Sequence, residues 1–473
     1  MSKTSFAQKK ITEWIVVHPA EIFVVFALIF GVLICFRMPP LSGTDEFTHF
    51  PRAYQVQAGK FWDDKLSSTS YGGYLPKNIN NIVNDYRDLS RKNSSQALKT
   101  REAYLNSIYS SQRNIGTTKE KAIYSSDAVY SPWSFTAPVL GIGLARILHL
   151  PLLWYVYLGR IFTLLTWIGL TWLAIRFLPG GKWFLFMVAL LPTSLVQAST
   201  ISPDSLVNGL SWLIAALTFA LLAKTLALDK RVLILLSASC ILLATTKEGY
   251  LLIALLPLIL PTHYFVSDKL AWIWRIATTL LLIAVSIGYL GYTYPIAKSI
   301  PGRQDIAVNY SAQSNYVKSH ALPTVWRITQ DPFTKNNDTV AFEMVGVLTN
   351  RLIYLSVLVI GLLYLGLFTS LIQVPQNKNL HDHARRLCVS VLLILIGFYV
   401  FISSTMYLTF TPVGSSVVEG IHGRYFLPLL PLLLAFTLPC KKAFIKINEY
   451  FVVKLVLGIA FVGLLSSVMT IQQ

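Results

Sequence analysis

Residues 39–52 read Pro-Pro-Leu-Ser-Gly-Thr-Asp-Glu-Phe-Thr-His-Phe-Pro-Arg and stand where the first long apolar run of the chain ends. Adjacent carboxylates Asp45 and Glu46, followed by His49 and Arg52, therefore fall at the edge of a membrane rather than within it. Charged side chains are costly in hydrocarbon and tolerable at the interface, so this is where a membrane protein can meet a polar group carried on a lipid tail. The apolar run before the stretch and the polar hundred residues after it set the class of fold: a helix, then a large loop.

Composition agrees. The chain has 473 residues, of which 54% are hydrophobic and only 13% charged, outside the range of soluble domains and typical of a polytopic membrane protein. The formal charge of +18 comes mainly from short Lys/Arg clusters between apolar runs, which is the positive-inside pattern and argues against nucleic acid as a partner. The four cysteines each lie in or beside a different apolar run, so no disulfide framework is implied. Lys3, Lys9 and Lys10 precede apolar sequence that continues through Cys35 with no small-residue cleavage site, which reads as a retained first helix rather than a signal peptide.

By the twenty-residue criterion the apolar runs are 19–38, 152–178, 183–198, 204–228, 232–246, 250–266, 270–295, 351–374, 387–410, 425–438 and 450–470, about eleven transmembrane helices in an all-α fold. The segment 132–149 decides orientation. If it crosses, the clusters Lys224/Lys230/Arg231 and Lys441/Lys442/Lys446 face outward; if it lies along the interface, they face the cytoplasm with Arg176/Lys182, Lys269/Arg275 and Lys378/Arg385/Arg386. The second arrangement follows the charge rule, so 132–149 is expected to be an interfacial helix, with Trp133 and Arg146 at headgroup level. The chain then divides into a cytoplasmic N-terminus and first helix (1–38), a large first extracytoplasmic loop ending in the interfacial helix (39–150), helices 2–7 (151–296), a second outer loop (297–350) and helices 8–11 (351–473). The loop 41–130 is too long to lack structure and is expected to form a small, partly helical cap. No repeat relates the two halves, which counts against an inverted-repeat transporter.

Every acidic or basic pair of interest falls on the outer face in this topology. Asp45 and Glu46 diverge by about 100° on a helix and cannot both address one proton, so one is expected to be a base and the other structural. Asp45 could instead only cap a helix after Gly-Thr. His49 and Arg52 share its face if Pro51 does not break the helix, with His49 alternatively a structural hydrogen-bonding partner. In Ser202-Pro203-Asp204, Ser202 suits a cap and Asp204 the helix dipole, with a substrate role as the alternative. Lys247, in Lys247-Glu248-Gly249-Tyr250, could meet a lipid phosphate or pair locally with Glu248. Arg424, in Glu419-Gly420-Ile421-His422-Gly423-Arg424-Tyr425, suits a phosphate or snorkels to headgroups; His422 and Arg351 are weaker candidates. His381 and His383 read as solvated. A carboxylate base beside Arg, Lys or His is what transfer of a sugar from a lipid phosphate requires, since the phosphate leaves without a dedicated acid.

These residues carry a family resemblance. The acidic pair after the first run, the apolar segment before the second, the Pro-Asp turn, the Lys-Glu-Gly-Tyr turn and the final Gly-Arg-Tyr-Phe-Leu-Pro together resemble the GT-C superfamily of membrane glycosyltransferases. More narrowly the chain is similar to bacterial predicted membrane proteins that include serotype-converting O-antigen glycosyltransferases of the Gtr type. The resemblance implies a GT-C-like fold in the bacterial inner membrane with its active site on the periplasmic side. It implies inverting transfer of one sugar, glucose as the best guess, from undecaprenyl phosphate to a lipid-linked polysaccharide such as O-antigen. By that likeness Asp45, with Glu46, matches the catalytic acidic pair, and Lys247 and Arg424 fall where such enzymes hold the lipid phosphate. His422, His49, Arg52, Asp204 and Tyr250 complete the expected binding set. A lipid-sugar synthase and a small flippase would act upstream; no cofactor beyond the polyprenyl-phosphate donor is required, and a divalent metal is allowed but not implied.

Two other classes compete. A polysaccharide polymerase or ligase would carry large arginine-bearing outer loops late in the chain, where only Arg303 and Arg327 stand in 297–350. A lipid-linked-sugar transporter would place ionisable groups in mid-span, whereas here most sit near span ends.

Overall fold

The computed structural model describes residues 13–91, 115–124, 127–299, 308–330, 337–349, 355–372, 377–439 and 448–471. The Lys441/Lys442/Lys446 cluster, Cys440, Arg303, Arg351 and the first lysines lie outside the described residues.

The protein is mostly helical. The α-helices longer than five residues are α1 (Pro19–Arg37), α2 (Glu46–Gln57), α3 (Lys77–Arg91), α4 (Thr136–Ile147), α5 (Leu152–Phe177), α6 (Lys182–Ala189), α7 (Pro192–Ala198), α8 (Pro203–Leu222) and α9 (Lys230–Thr246). They continue with α10 (Asp268–Ser299), α11 (Tyr310–Ser319), α12 (Ala321–Gln330), α13 (Asn337–Gly346), α14 (Val357–Ile372), α15 (Ala384–Thr409) and α16 (Glu449–Thr470). Six of them, α1, α5, α8, α10, α15 and α16, are long and apolar enough to cross a bilayer. The other five apolar runs form shorter or broken elements among the described residues. Pro192, which has no N–H to donate, ends α6 and starts α7, dividing the run 183–198 in two.

α8 is the centre. Its apolar window is entirely buried, between α5, α9 and a 15-residue 3₁₀ helix, Gly423–Thr437. Trp212 of α8 stacks edge-on to Trp167 of α5 at 6.0 Å, and Trp167 in turn meets Phe23 of α1 at 5.4 Å. Pro428 and Pro431 withhold two backbone donors from the 3₁₀ run, and side chains take up its carbonyls: Trp212 Nε1 donates to Leu427 O at 3.1 Å and the Tyr250 hydroxyl to Tyr425 O at 3.0 Å.

The expectation of an all-α chain is corrected in the first loop. It folds as a small α/β cap with an antiparallel sheet, β1 (Asp64–Ser67), β2 (Ser70–Pro76) and β3 (Lys119–Ile123), in the order β1-β2-β3. β2 pairs with β1 through Asp64 opposite Gly72, and with β3 through Gly73 opposite Ala122. α3 covers the sheet, burying Ile79, Ile82, Val83 and Tyr86 in a core shared with Phe50 and Tyr54 of α2 and Tyr155 of α5. Gly73 is needed for this approach, because a Cβ there would stand 1.5 Å from the Gln55 side-chain nitrogen. The cap is thereby clamped onto α2.

The segment expected to lie along the interface is a 3₁₀ turn, Pro132–Phe135, followed by α4. At about 1.5 Å per residue α4 is too short to span a bilayer. It lies flush on α5 at Gly141, where a Cβ would come within 2.1 Å of the Leu158 carbonyl oxygen, and leaves Trp133, Leu140 and Ile147 exposed.

Candidate functional site

The site begins with a backbone conformation. Asp45 occupies the N-cap position of α2 with φ 57°, in the left-handed region that Asp tolerates better than most residues, and its carboxylate makes no cap hydrogen bond. The capping reading is therefore set aside: the side chain leaves the helix and accepts a 2.7 Å hydrogen bond from Arg424 Nη2. This contact joins the first loop to the start of the Gly423–Thr437 3₁₀ helix.

Arg424 sits between two carboxylates, with its Nε 3.9 Å from Asp204 Oδ2. Asp204 in turn pairs closely with Lys247 Nζ and accepts from Gln197 Nε2 at 3.1 Å. Asn208, one turn further along α8, donates to Gln197 Oε1 at 3.0 Å and fixes that amide. Ser202 caps α8 through the Asp204 N–H, as its place before Pro203 suggested, while the Asp204 carboxylate is free to face the cations. Aromatic faces enclose the cations: Lys247 Nζ lies 5.5 Å from the Tyr130 ring and 5.4 Å from that of Tyr425, and the Arg424 guanidinium 5.3 Å from Tyr425. Lys247 does not pair with Glu248, which accepts from Thr293 instead.

The acidic neighbours separate sharply. Glu46 is fully buried and receives Arg160 Nε at 2.7 Å and Nη2 at 2.5 Å, with the N–H groups of Gly43 and Ile201 at 3.1 and 3.0 Å. All its lone pairs are committed, so Glu46 is a structural staple of α1, α2, α5 and the 199–202 turn. The Asp45 side chain is 42% exposed, against 14% for Arg424. Asp45 is thus the carboxylate of the pair that an incoming group can reach.

His49 is buried beneath it, with Nδ1 3.2 Å from Asp127 Oδ1 and its ring against Tyr130 and Phe135. Arg52 does not reach the cluster. α2 runs unbroken through Pro51, but Arg52 turns into the cap, where it lies 3.2 Å from Asp63 and donates to Lys60 O and Phe61 O at 3.3 and 2.7 Å. His422 stands two residues before Arg424 and pairs with Glu343 Oε2 at 3.0 Å, while Tyr250 acts through its hydrogen bond to Tyr425 O. His383 is not simply solvated, since its Nε2 is 3.2 Å from the Tyr264 hydroxyl. Arg327 is held by the Tyr316 hydroxyl and by the Gly414 and Ser415 carbonyls.

Burial alone would raise the Asp45 carboxyl, but Arg424 and then His49 outweigh it and hold it below the usual carboxylate range. For His49 burial favours the neutral ring, and Asp127 reverses that to raise it above the ordinary imidazole value. Lys247 is disfavoured by burial and kept charged by Asp204, well above the usual lysine value. The resting cluster is therefore two carboxylates against two committed cations, with His49 near Asp45 and paired with Asp127.

Several members escaped the sequence reading. Glu343, 5% exposed on α13, accepts the Gly423 N–H at 2.9 Å as well as His422, and so sets the backbone that carries Arg424. A Cβ on Gly423 would lie 2.0 Å from Val340 O, which explains the glycine before Arg424. Gln197 and Asn208 could have been found as polar side chains inside apolar runs, and Arg160 as an arginine within α5. Among the described residues no group of three or more His, Cys, Asp or Glu side chains is placed so that it could hold a metal ion.

A bundle with six candidate spans, a cap at one end and a partly buried ion-pair cluster beside that cap define the class: a polytopic membrane protein. Residues 28–433 match the family described as "Predicted membrane protein (DUF2142)", and the chain belongs to that family. No curated protein and no solved structure matches it.

Proposed function

We propose that the protein is an inverting GT-C-type glycosyltransferase that moves one sugar, glucose as the best guess, from undecaprenyl phosphate to a lipid-linked polysaccharide such as O-antigen. In this reading the shorter helices complete about eleven crossings of the bacterial inner membrane, and Asp45 works on the periplasmic face. The observation that carries it is the partly exposed Asp45 carboxylate 2.7 Å from Arg424, with Lys247 alongside on Asp204. Asp45, Asp204, Lys247 and Arg424 gather at one end of the bundle. The described Lys/Arg clusters stand at the other, where Arg176 lies 3.8 Å from Glu21 and Asn379 of the 377–383 segment donates to Ala223 O.

The chemistry follows from the pairing. At rest Asp45 is a weak base because Arg424 neutralises it. A donor phosphate competes for Arg424 and Lys247, and the carboxylate released from Arg424 becomes more basic. The acceptor hydroxyl then attacks the anomeric carbon from the face opposite the phosphate and gives its proton to Asp45. The bond from that carbon to the phosphate oxygen breaks, and the polyprenyl phosphate leaves with its negative charge held by the two cations. Membrane vesicles containing the protein, supplied with radiolabelled polyprenyl-phosphate glucose and a lipid-linked acceptor, test this directly. Transfer abolished by Asp45→Asn in a protein that still inserts supports the reading; undiminished transfer removes it.

A further inference from the structure

Along α15 from Phe398, whose ring lies 4.9 Å from that of Tyr250 beside the Asp45 cluster, the helix runs about 18 Å back to Arg386, where a second, unrelated concentration of charge lies. An open-sided cavity of about 800 Å³ is lined by Arg275, Arg385 and Arg386, with His263, His383 and Asp382. Thr262 and Ser390 add hydroxyls to its wall. The guanidiniums outnumber the carboxylate three to one, and among the described residues none of the three forms an ion pair.

Two of them are held in place without being neutralised. Arg275 donates to the Leu260 carbonyl and Arg386 to the Ile259 carbonyl at 3.2 Å, so the chain between α9 and α10 fixes both on the cavity wall. Trp272 flanks Arg275, its ring 5.1 Å from the guanidinium. Burial and then the positive field of Arg386 hold His383 below the usual imidazole range. Apolar side chains continue from the rim along both walls: Val389 and Leu393 on α15 are 51% and 64% exposed, and Ile276 and Leu280 on α10 are 55% and 61% exposed. A planar guanidinium matches phosphate oxygens, and an apolar flank beneath it matches acyl chains.

We propose that this cavity is a binding site for the phosphate headgroup of an anionic membrane lipid, whose tails lie along the exposed flanks of α10 and α15. Phosphate chemistry is also offered by soluble phosphoesters; the continuous apolar flank selects the lipid. The site is distinct in place and residues from the Asp45 cluster and holds whether or not that cluster transfers sugar.

Native mass spectrometry of the full-length, detergent-purified protein tests it, with phosphatidylglycerol, phosphatidylcholine and inorganic phosphate as probes. We expect phosphatidylglycerol to bind at least tenfold more tightly than phosphatidylcholine, and Arg385→Ala/Arg386→Ala to abolish that preference. The control Lys230→Ala/Arg231→Ala removes the same charge from exposed positions at the start of α9, outside the cavity, and should leave the preference intact. Ser390→Asp, which puts a carboxylate into the cavity without touching an arginine, should weaken phosphatidylglycerol by a similar factor and guards against misfolding of the double variant. Equal losses in the control, or equal affinity for the two lipids, overturn the proposal. Displacement of phosphatidylglycerol by millimolar inorganic phosphate would overturn the lipid assignment in favour of a soluble phosphoester.

Discussion

Replacing Asp45 by Asn keeps the size of the side chain and removes both its charge and its ability to take a proton. The consequences for transfer and for donor affinity go in different directions, which makes the variant informative. General-base catalysis is typically worth 10²- to 10⁴-fold, so the turnover number should fall by that factor, about 3–5 kcal/mol in the barrier. Donor affinity should hold or improve, because Arg424 Nη2, 2.7 Å from the carboxylate in the resting protein, no longer has to be drawn from Asp45 to meet phosphate. Nor should the fold suffer greatly: a side chain 42% exposed makes its ion pair in partly solvated surroundings, and such pairs contribute about 0–1 kcal/mol. The assay is initial-rate transfer in vesicles over a range of donor concentrations, with expression level and thermal unfolding measured on the same preparations. A turnover number within threefold of wild type would refute the assignment of Asp45 as base. A collapse of donor affinity with turnover preserved would refute the release of Asp45 from Arg424 by the donor.

Glu46→Gln should behave oppositely: with Arg160 fully buried and left without its charge partner, about 3–5 kcal/mol of stability is lost, read as a fall in melting temperature and yield. Arg424→Ala should raise the donor KM at least tenfold while changing the acceptor KM little, and an unchanged donor KM would make Arg424 a headgroup anchor. The pH dependence has a definite sign at His49. Its pKa is raised by Asp127 in the folded protein, so its stabilising contribution is complete below the unfolded value near pH ~6.5 and is lost as pH rises through the folded one. The melting-temperature advantage of wild type over His49→Gln should therefore shrink toward alkaline pH; a gap that widens instead would contradict the His49–Asp127 pairing. Asp45 is depressed in the resting protein, so a loss of kcat/KM for the donor from its protonation should begin only below the usual carboxylate range, while kcat, which reports the complex in which Arg424 has left Asp45, should fall at higher pH.

The sequence carried the helices better than the loops because long apolar runs and clustered lysines are signals of composition. Where α1, α5, α8, α10, α15 and α16 lie could be read from hydrophobicity alone. The sheet could not, since Asp64–Ser67 and Lys119–Ile123 are mostly exposed edge strands with little alternation, and the pairing of β3 to β2 joins chain segments far apart. For the cluster, Asp45, Asp204, Lys247 and Arg424 each stood out as a charge at the end of an apolar run. That reasoning gave position along the membrane normal but not lateral neighbours, so Arg52 was grouped with them although it turns into the cap. Which member of the acidic pair is locked depended on Arg160, whose partner lies 114 residues away and leaves no local mark.

The Asp45–Arg424 contact spans 379 positions of the chain. As the polypeptide leaves the ribosome, Asp45 is in the bilayer interface long before Arg424 has been made, and no nearer residue supplies the second half of the pair. A nascent or truncated protein that stops short of residue 424 can form the Lys247–Asp204 pair but not the Asp45–Arg424 one, so the cluster closes only when nearly the whole chain has been made.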